Sequence, residues 1–285
     1  MLGLIGHPVA HSLSPSMHRA ALAHYGLQGD YRLVDLFPGD LDAGIGSLIV
    51  QGFCGFNVTV PHKQAVMALC SQLTEEARLV KAVNSVRIES DRTLTGHNTD
   101  LGGFQKALTE ASSANFADGG KALLLGAGGA ARAGLWGLAL SGFQEIGIVA
   151  RRTEPAQRMQ EEFLDSFSSA SCPYGKPKIA VLDLSAALGS ERPTVIVNST
   201  PIGLSGEAPP QWLRRLICQV VSGGLFFDMV YGATGVTPCV QAAREAGLTA
   251  TDGTGMLVEQ ARLAFEFFTG KLPAVDVMRQ AVGAL

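Results

Sequence analysis

Apolar residues fall into short runs that alternate with stretches of helical period. Leu2–Ile5 is an apolar run stopped by Gly6, the pattern of a buried strand. Ser14 then reads as a helix N-cap with Pro15 at the first helical position. Met17, Ala20, Ala21 and His24 follow at helical spacing, and Gly26 ends the helix. Tyr31–Leu36 reads as a second strand, Leu41–Val50 as a helix, and Gly55–Val60, closed by Pro61, as a third strand. Helical period returns over His62–Cys70 and Thr74–Ala82. Val83–Ile88 and Thr93–His97 then form a strand pair around the Ser90-Asp91 turn. These elements predict a small α/β unit that holds all six histidines.

The following pattern is more regular. Lys121–Leu125 is a buried strand, a glycine cluster follows, and a helix runs to Leu140. Ile146–Ala150 is a strand and Ala156–Phe167 a helix. Further strands are expected at Ile179–Leu182, Thr194–Val197 and Leu225–Met229. Strands alternating with helices predict a parallel, doubly wound sheet. The small, polar segment Ala114–Gly120 reads as a linker, and helices are expected at Gly255–Thr269 and Val275–Val282. The expected domains are 1–100 with 252–285, and 101–251.

Composition narrows the class. Only 16% of the 285 residues are charged and 47% are apolar, which excludes a disordered chain. The 34 glycines follow no triplet repeat, so they point to tight turns rather than collagen. A net charge of −3 with no basic cluster excludes a nucleic-acid surface. The most membrane-like window, Ala122–Leu140, carries Arg132 in its middle, and the N-terminus has no secretory pattern. Five widely spaced cysteines without a C-x-x-C motif suggest reduced, buried thiols in a cytoplasmic protein, with no disulfide framework and no zinc ribbon. His7 and His11 are four apart, but Pro8 lies between them and no carboxylates accompany them, so no metal site is expected.

Gly126, Gly128 and Ala131 fit G-x-G-x-x-A directly after a strand and before a helix. The first glycine permits the turn, the second leaves room for a pyrophosphate, and the alanine lets helix and strand approach. Gly126, Ala127, Gly128, Gly129 and Ala130 are therefore candidate phosphate binders at a helix N-terminus. An NAD site places an acid at the tip of the next strand. Here the tip is Arg151-Arg152-Thr153, which suits a ribose 2′-phosphate and favours NADP.

Four polar clusters lie outside that region. They are Gly6 to Pro15 with Ser12 and Ser14; Asn57 to Lys63 with Thr59; Asn84-Ser85 with Gly96 to Asp100; and Gly253 to Gln260. With Asn198 to Gly203, Asp228 to Tyr231 and Gln260 to Gly270, they resemble, in order and over nearly the whole chain, the shikimate dehydrogenase family. The resemblance implies a Rossmann-type NADP domain joined to an α/β substrate domain. It implies reversible hydride transfer between NADPH and 3-dehydroshikimate, a step of aromatic amino acid biosynthesis, with Lys63 and Asp100 as the acid–base pair. A positive charge and a proton donor at the reacting oxygen are what reduction of a ketone requires.

The same resemblance implies that Ser12 and Ser14 bind the substrate carboxylate, that Thr59, Asn84, Tyr231 and Gln260 bond ring hydroxyls or the carboxylate, and that Met229 and Gly253 line the nicotinamide. For Gln260 to share a substrate with Ser12, the C-terminal helices must return to the first domain, which places the expected site in a cleft between domains. His62 and His97 are expected as electrostatic neighbours of Lys63 and Asp100. Where the family often continues Asn-Pro after Tyr231, this chain has Gly232 to Pro238, which leaves quinate or a related ring acid as an alternative substrate. A non-catalytic NADP(H)-binding protein is the alternative of another class. Lys63 and Asp100 together speak against it. The expected partners are small molecules, with neither nucleic acid nor membrane, and the expected assembly is a monomer or homodimer.

Overall fold

In a computed structural model, residues 1–112, 120–167, 172–232 and 236–283 are described. The linker expected at 114–120 and the centre of the 232–238 loop lie largely outside them. The chain divides into two compact units, Met1–Gly103 with Leu257–Leu285, and Phe104–Met256.

The first unit runs β1 (Leu2–Gly6), α1 (Ser14–His24), β2 (Tyr31–Asp35), α2 (Leu41–Val50), β3 (Gly55–Val58), β4 (Gln72–Leu73), α3 (Glu75–Val80), β5 (Ser85–Ile88) and β6 (Leu94–His97) into the start of α4 (Thr99–Ala111). Its sheet has the order β2-β1-β3-β5-β6-β4. β1 pairs in parallel with β2 and β3, and β5 is antiparallel to both β3 and β6.

The second unit runs β7 (Lys121–Leu125), α5 (Gly129–Leu140), β8 (Glu145–Val149), α6 (Thr153–Phe167), β9 (Lys178–Leu182), α7 (Leu184–Gly189), β10 (Val195–Asn198), α8 (Gln211–Ile217), β11 (Leu225–Asp228), α9 (Pro238–Glu245) and β12 (Thr249–Thr251). Its sheet, β12-β11-β10-β7-β8-β9, is wholly parallel. The order reverses between β7 and β10, where a doubly wound sheet opens a crevice at its carboxyl edge. Near-continuous apolar strands such as Ala122–Leu125 and Val195–Val197 are buried, as a sheet covered on both faces requires.

Two last helices, α10 (Thr254–Thr269) and α11 (Val275–Ala281), close the chain. Val258, Ala261 and Phe265 of α10 and Met278 of α11 form one core cluster with Met17, Ala21 and Leu22 of α1. The C-terminal helices thus return to the first unit. On the other face of that sheet, Ile5, Phe56, Val58 and Val86 pack against Leu41, Ile45 and Leu48 of α2.

Several local expectations differ from the structure. Ser14 is not an N-cap: it lies inside the helix, Leu13 holds the cap position without a side-chain bond, and the Ser14 N–H donates to Ser12 Oγ at 3.2 Å. The stretch 62–70 is not an α-helix. The Lys63 carbonyl is taken by the Val83 N–H at 2.7 Å, and the chain makes a 3-10 turn over Ala65–Leu69 before β4. Helix α4 and strand β12 were not expected. The cysteines are free, but Cys54 and Cys218 are exposed and Cys239 alone of the five is buried. No helix among the described residues is long and apolar enough to cross a membrane.

Gly102 and Gly103 explain why α4 was obscure. They look like a turn, yet they lie in the helix because α10 crosses there. A Cβ on Gly103 would meet the Gln260 backbone nitrogen at 2.9 Å, and one on Gly102 would meet Leu263 at 2.8 Å. Gly103→Ala gains up to about 1 kcal/mol of helix propensity but overpacks backbone against backbone, which costs about 1–3 kcal/mol. The net expectation is destabilisation, read as a lower urea midpoint at unchanged slope.

Candidate active site

In the first unit the turn after β3 presents Lys63. Its backbone is pinned by the Val83 N–H, and the neighbouring His62 is buried, with its Nε2 2.8 Å from the Leu36 carbonyl. Asp100 comes from the first turn of α4. Asn98 caps that helix, accepting from the Leu101 N–H at 3.1 Å and donating to the Ala82 carbonyl at 2.8 Å. The two side chains meet: Lys63 Nζ donates to Asp100 Oδ2 at 2.6 Å, with side chains 16% and 7% exposed. The second carboxylate oxygen accepts from Asn84 Nδ2 at 2.8 Å. Asn84 itself is fixed, donating to Thr99 Oγ1 at 2.9 Å and accepting from the Thr99 N–H at 2.8 Å. An ammonium held on a buried anion, with two N–H groups left over, is able to donate a proton to a nearby oxygen.

The other expected residues of this unit fall as follows. Ser12 Oγ donates to Ser14 Oγ at 3.1 Å. Thr59 is half-buried where Gly6 makes room for it; a Cβ on Gly6 would lie 2.3 Å from the Thr59 methyl. Gln260 lies on α10 against Gly103, and its amide is turned back to the Leu257 carbonyl at 2.8 Å. His97 Nδ1 lies 2.8 Å from Thr74 Oγ1 and 3.5 Å from Glu76, whose carboxyl that contact pulls down to about 2. His7 sits 2.7 Å from Asp35.

In the second unit the glycine turn has the conformation its sequence suggested. Gly126 has φ +112°, and a Cβ there would meet Ser199 Oγ at 2.5 Å. Gly128 caps α5 with no side chain, and a Cβ on it would meet nothing within 4 Å. The first N–H groups of α5, including those of Gly129 and Ala130, are therefore uncovered by any capping side chain, with open space beside them, which fits a phosphate. Arg151 and Arg152 are exposed at the tip of β8, and Thr153 opens α6. Met229 is half-buried, with its methyl near Gly134 of α5, and the Met229 carbonyl abuts Gly253, where a Cβ would lie 2.3 Å away. Tyr231 is also half-buried, and burial pushes its phenol up. Among the described residues no cluster of His, Cys, Asp and Glu could hold a metal.

The sequence reading missed a buried acid. Asp228, at the end of β11, accepts from Asn198 Nδ2 at 2.9 Å, the Val230 N–H at 3.1 Å and Thr237 Oγ1 at 2.6 Å. These bonds tie the ends of β10 and β11 to the start of α9. Burial without a cation outweighs those donors and raises the carboxyl to about 6. Its signal was the pair of motifs at 198–203 and 228–231, noted for resemblance but not for their own polar groups.

A parallel sheet in this order, with a glycine turn after its first strand and a separate unit holding a lysine–carboxylate pair, is the framework of a nucleotide-dependent dehydrogenase. Residues 4–86 match the shikimate dehydrogenase substrate binding domain, and residues 253–282 the shikimate 5′-dehydrogenase C-terminal domain. The chain is 38% identical over 291 residues to the shikimate dehydrogenase (NADP(+)) of Methanopyrus kandleri, covering 99% of this chain and 94% of that one. A crystal structure of shikimate 5-dehydrogenase from Thermus thermophilus with NADP(H) and shikimate is similar at TM-score 0.79 and 32% identity, over 100% of this chain and 99% of that one. Quinate dehydrogenase from Corynebacterium glutamicum with NAD is similar at TM-score 0.84 and 29% identity, over 100% and 98% of the two chains. The chain belongs to the shikimate dehydrogenase family.

Asp228 gives a signed pH test. Its folded-state carboxyl is raised from 3.8 to about 6, so the folded protein retains a proton that the unfolded chain has lost between those values. Its contribution to stability is present below pH 4 and is lost as pH rises through about 6, on the order of 3 kcal/mol. Urea unfolding of wild type and Asp228→Asn at pH 4, 5, 6 and 7 checks it. The difference between the two is expected to shift in favour of the variant as pH rises.

Proposed function

We propose that the chain is an NADP-dependent dehydrogenase that interconverts 3-dehydroshikimate and shikimate in aromatic amino acid biosynthesis, with Lys63 and Asp100 as its acid–base pair. The observation that carries the roles is the 2.6 Å contact between the Lys63 ammonium and a carboxylate that Asn84 holds from the other side. When bound, NADPH supplies the hydride. Lys63 Nζ then gives a proton to the oxygen that becomes the hydroxyl, and its charge stabilises the alkoxide as that forms. Asp100 holds the ammonium aimed, and in the oxidative direction the pair takes the hydroxyl proton back.

The first unit is the substrate domain. Ser12 and Ser14 hold the carboxylate. Thr59, Asn84, Gln260 and, from the second unit, Tyr231 address the ring hydroxyls or the carboxylate, with Asn84 also orienting Asp100. The second unit is the NADP domain. Gly126, Ala127, Gly128, Gly129 and Ala130 take the pyrophosphate, Arg151, Arg152 and Thr153 the 2′-phosphate, and Met229 and Gly253 the nicotinamide. The open space beside Gly128 and the uncapped start of α5 support that assignment. The reading is of a cytoplasmic enzyme of small metabolites, working as a monomer or homodimer.

Lys63→Ala is expected to lower kcat for shikimate oxidation by about 10²–10⁴-fold while NADP binding, read by fluorescence titration, stays intact. Wild-type turnover in that variant would remove the role. A panel of shikimate and quinate against NADP and NAD tests the substrate, with shikimate and NADP expected to give the highest kcat/KM. Arg151→Ala and Arg152→Ala are expected to erode the preference for NADPH over NADH by raising the KM for NADPH alone, since only that cofactor carries the 2′-phosphate.

A further inference from the structure

Three buried polar residues of the first unit that have no role assigned above lie in one line. Tyr31 stands on β2, Asn57 on β3 and Ser85 on β5, where Asn57 and Ser85 are register partners. Tyr31 and Ser85 are fully buried, and Asn57 is 5% exposed. The Tyr31 hydroxyl donates to Asn57 Oδ1 at 2.9 Å. Asn57 Nδ2 donates to Ser85 Oγ at 2.9 Å, and Ser85 Oγ donates to Asn84 Oδ1 at 3.1 Å. Asn84 Nδ2 donates to Asp100, which also receives Lys63.

Every hydrogen in this line points the same way, from the Tyr31 phenol to the Asp100 carboxylate. Aligned donors polarise one another and stiffen the line as a whole.

Packing does not call for these groups. Apolar residues of the same size would fill the space with no hydrogen-bond requirement, whereas each buried polar group must find a partner. The ring of Tyr31 is fixed independently: His18 stacks on it at 4.3 Å. His18 is buried, its Nδ1 has no hydrogen-bond partner, and burial holds its imidazole neutral, down at about 3. A neutral ring there adds no charge that would compete for the phenol.

We infer that Tyr31, Asn57 and Ser85 are positioning residues, which hold Asn84, and through it the Lys63–Asp100 pair, in a fixed place by one line of aligned hydrogen bonds. The inference rests on the function proposed above for that pair, since a fixed place matters only if the ammonium serves a reacting oxygen.

The test uses Tyr31→Phe and Ser85→Ala in the whole protein, each losing one hydroxyl and neither touching the ammonium. Two quantities are read: steady-state kinetics for shikimate and NADP, and the ¹⁵Nζ resonance of Lys63 without ligand, assigned by its loss in Lys63→Ala. Each folded variant is expected to lose about tenfold in kcat at unchanged KM for NADP, and to move the Lys63 resonance. A merely structural role would lower the melting temperature and leave both readouts alone. Either readout unmoved in a folded variant overturns the inference, as does failure of both variants to fold. If wild-type protein turns over neither shikimate nor quinate, the proposed function fails instead, and the resonance alone then decides whether the line reaches Lys63.

Discussion

A carboxylate as buried as Asp100 is tolerable only if every lone pair that has left water finds a donor, and if a cation stands within contact. That requirement organises the first unit. Asn84 at the start of β5, Lys63 in the turn after β3 and the first turn of α4 must all converge on one group. The glycine pair at 102–103 follows from the same demand, because α4 must begin at Asn98 to present Asp100, and α10 must still cross it closely. The 3-10 turn over Ala65–Leu69 fits too: the carbonyl that an α-helix would use at Lys63 is spent on Val83, which anchors the lysine backbone.

The second unit contains the opposite solution to the same problem. Asp228 is as buried as Asp100, but its donors are an amide, a hydroxyl and a backbone N–H, none of them a cation. Neutral donors satisfy its geometry without covering the cost of charge, so its carboxyl titrates near 6. One acid is built to keep a lysine in place, and the other fastens the ends of two strands to the cap of α9. Burial is common to both; the nearby cation separates their roles.

This contrast also marks what was legible in the sequence. The parallel sheet of the second unit was readable because its strands are unbroken apolar runs, and the glycine turn because its residue types answer to backbone geometry alone. Lys63 and Asp100 were legible as a pair only through the resemblance, and the two side chains do meet, at 2.6 Å. Helix α4 was not, since Gly102 and Gly103 are poor helix formers and the crossing helix that needs them is seen only in the fold. Strand β12, only Thr249–Thr251, has no apolar run to announce it. Ser14 was misread as a cap because a serine before proline is good cap chemistry, and nothing local tells that the helix already includes it, with Leu13 at the cap position. Tyr31, Asn57 and Ser85 were hidden in the same way: in a strand pattern they are single polar letters, and their meaning is the line they form across three strands.

That line acts by position and not by moving protons, and the reason is its amides. Tyr31 gives its one hydrogen to Asn57, and from there each bond, through Ser85 and Asn84 to Asp100, keeps the same direction. A relay would need each member to give up and regain a proton in turn, which the amides of Asn57 and Asn84 do not do. Two amides in the line make it a strut, and a strut suits a site whose ammonium must stay aimed at a reacting oxygen.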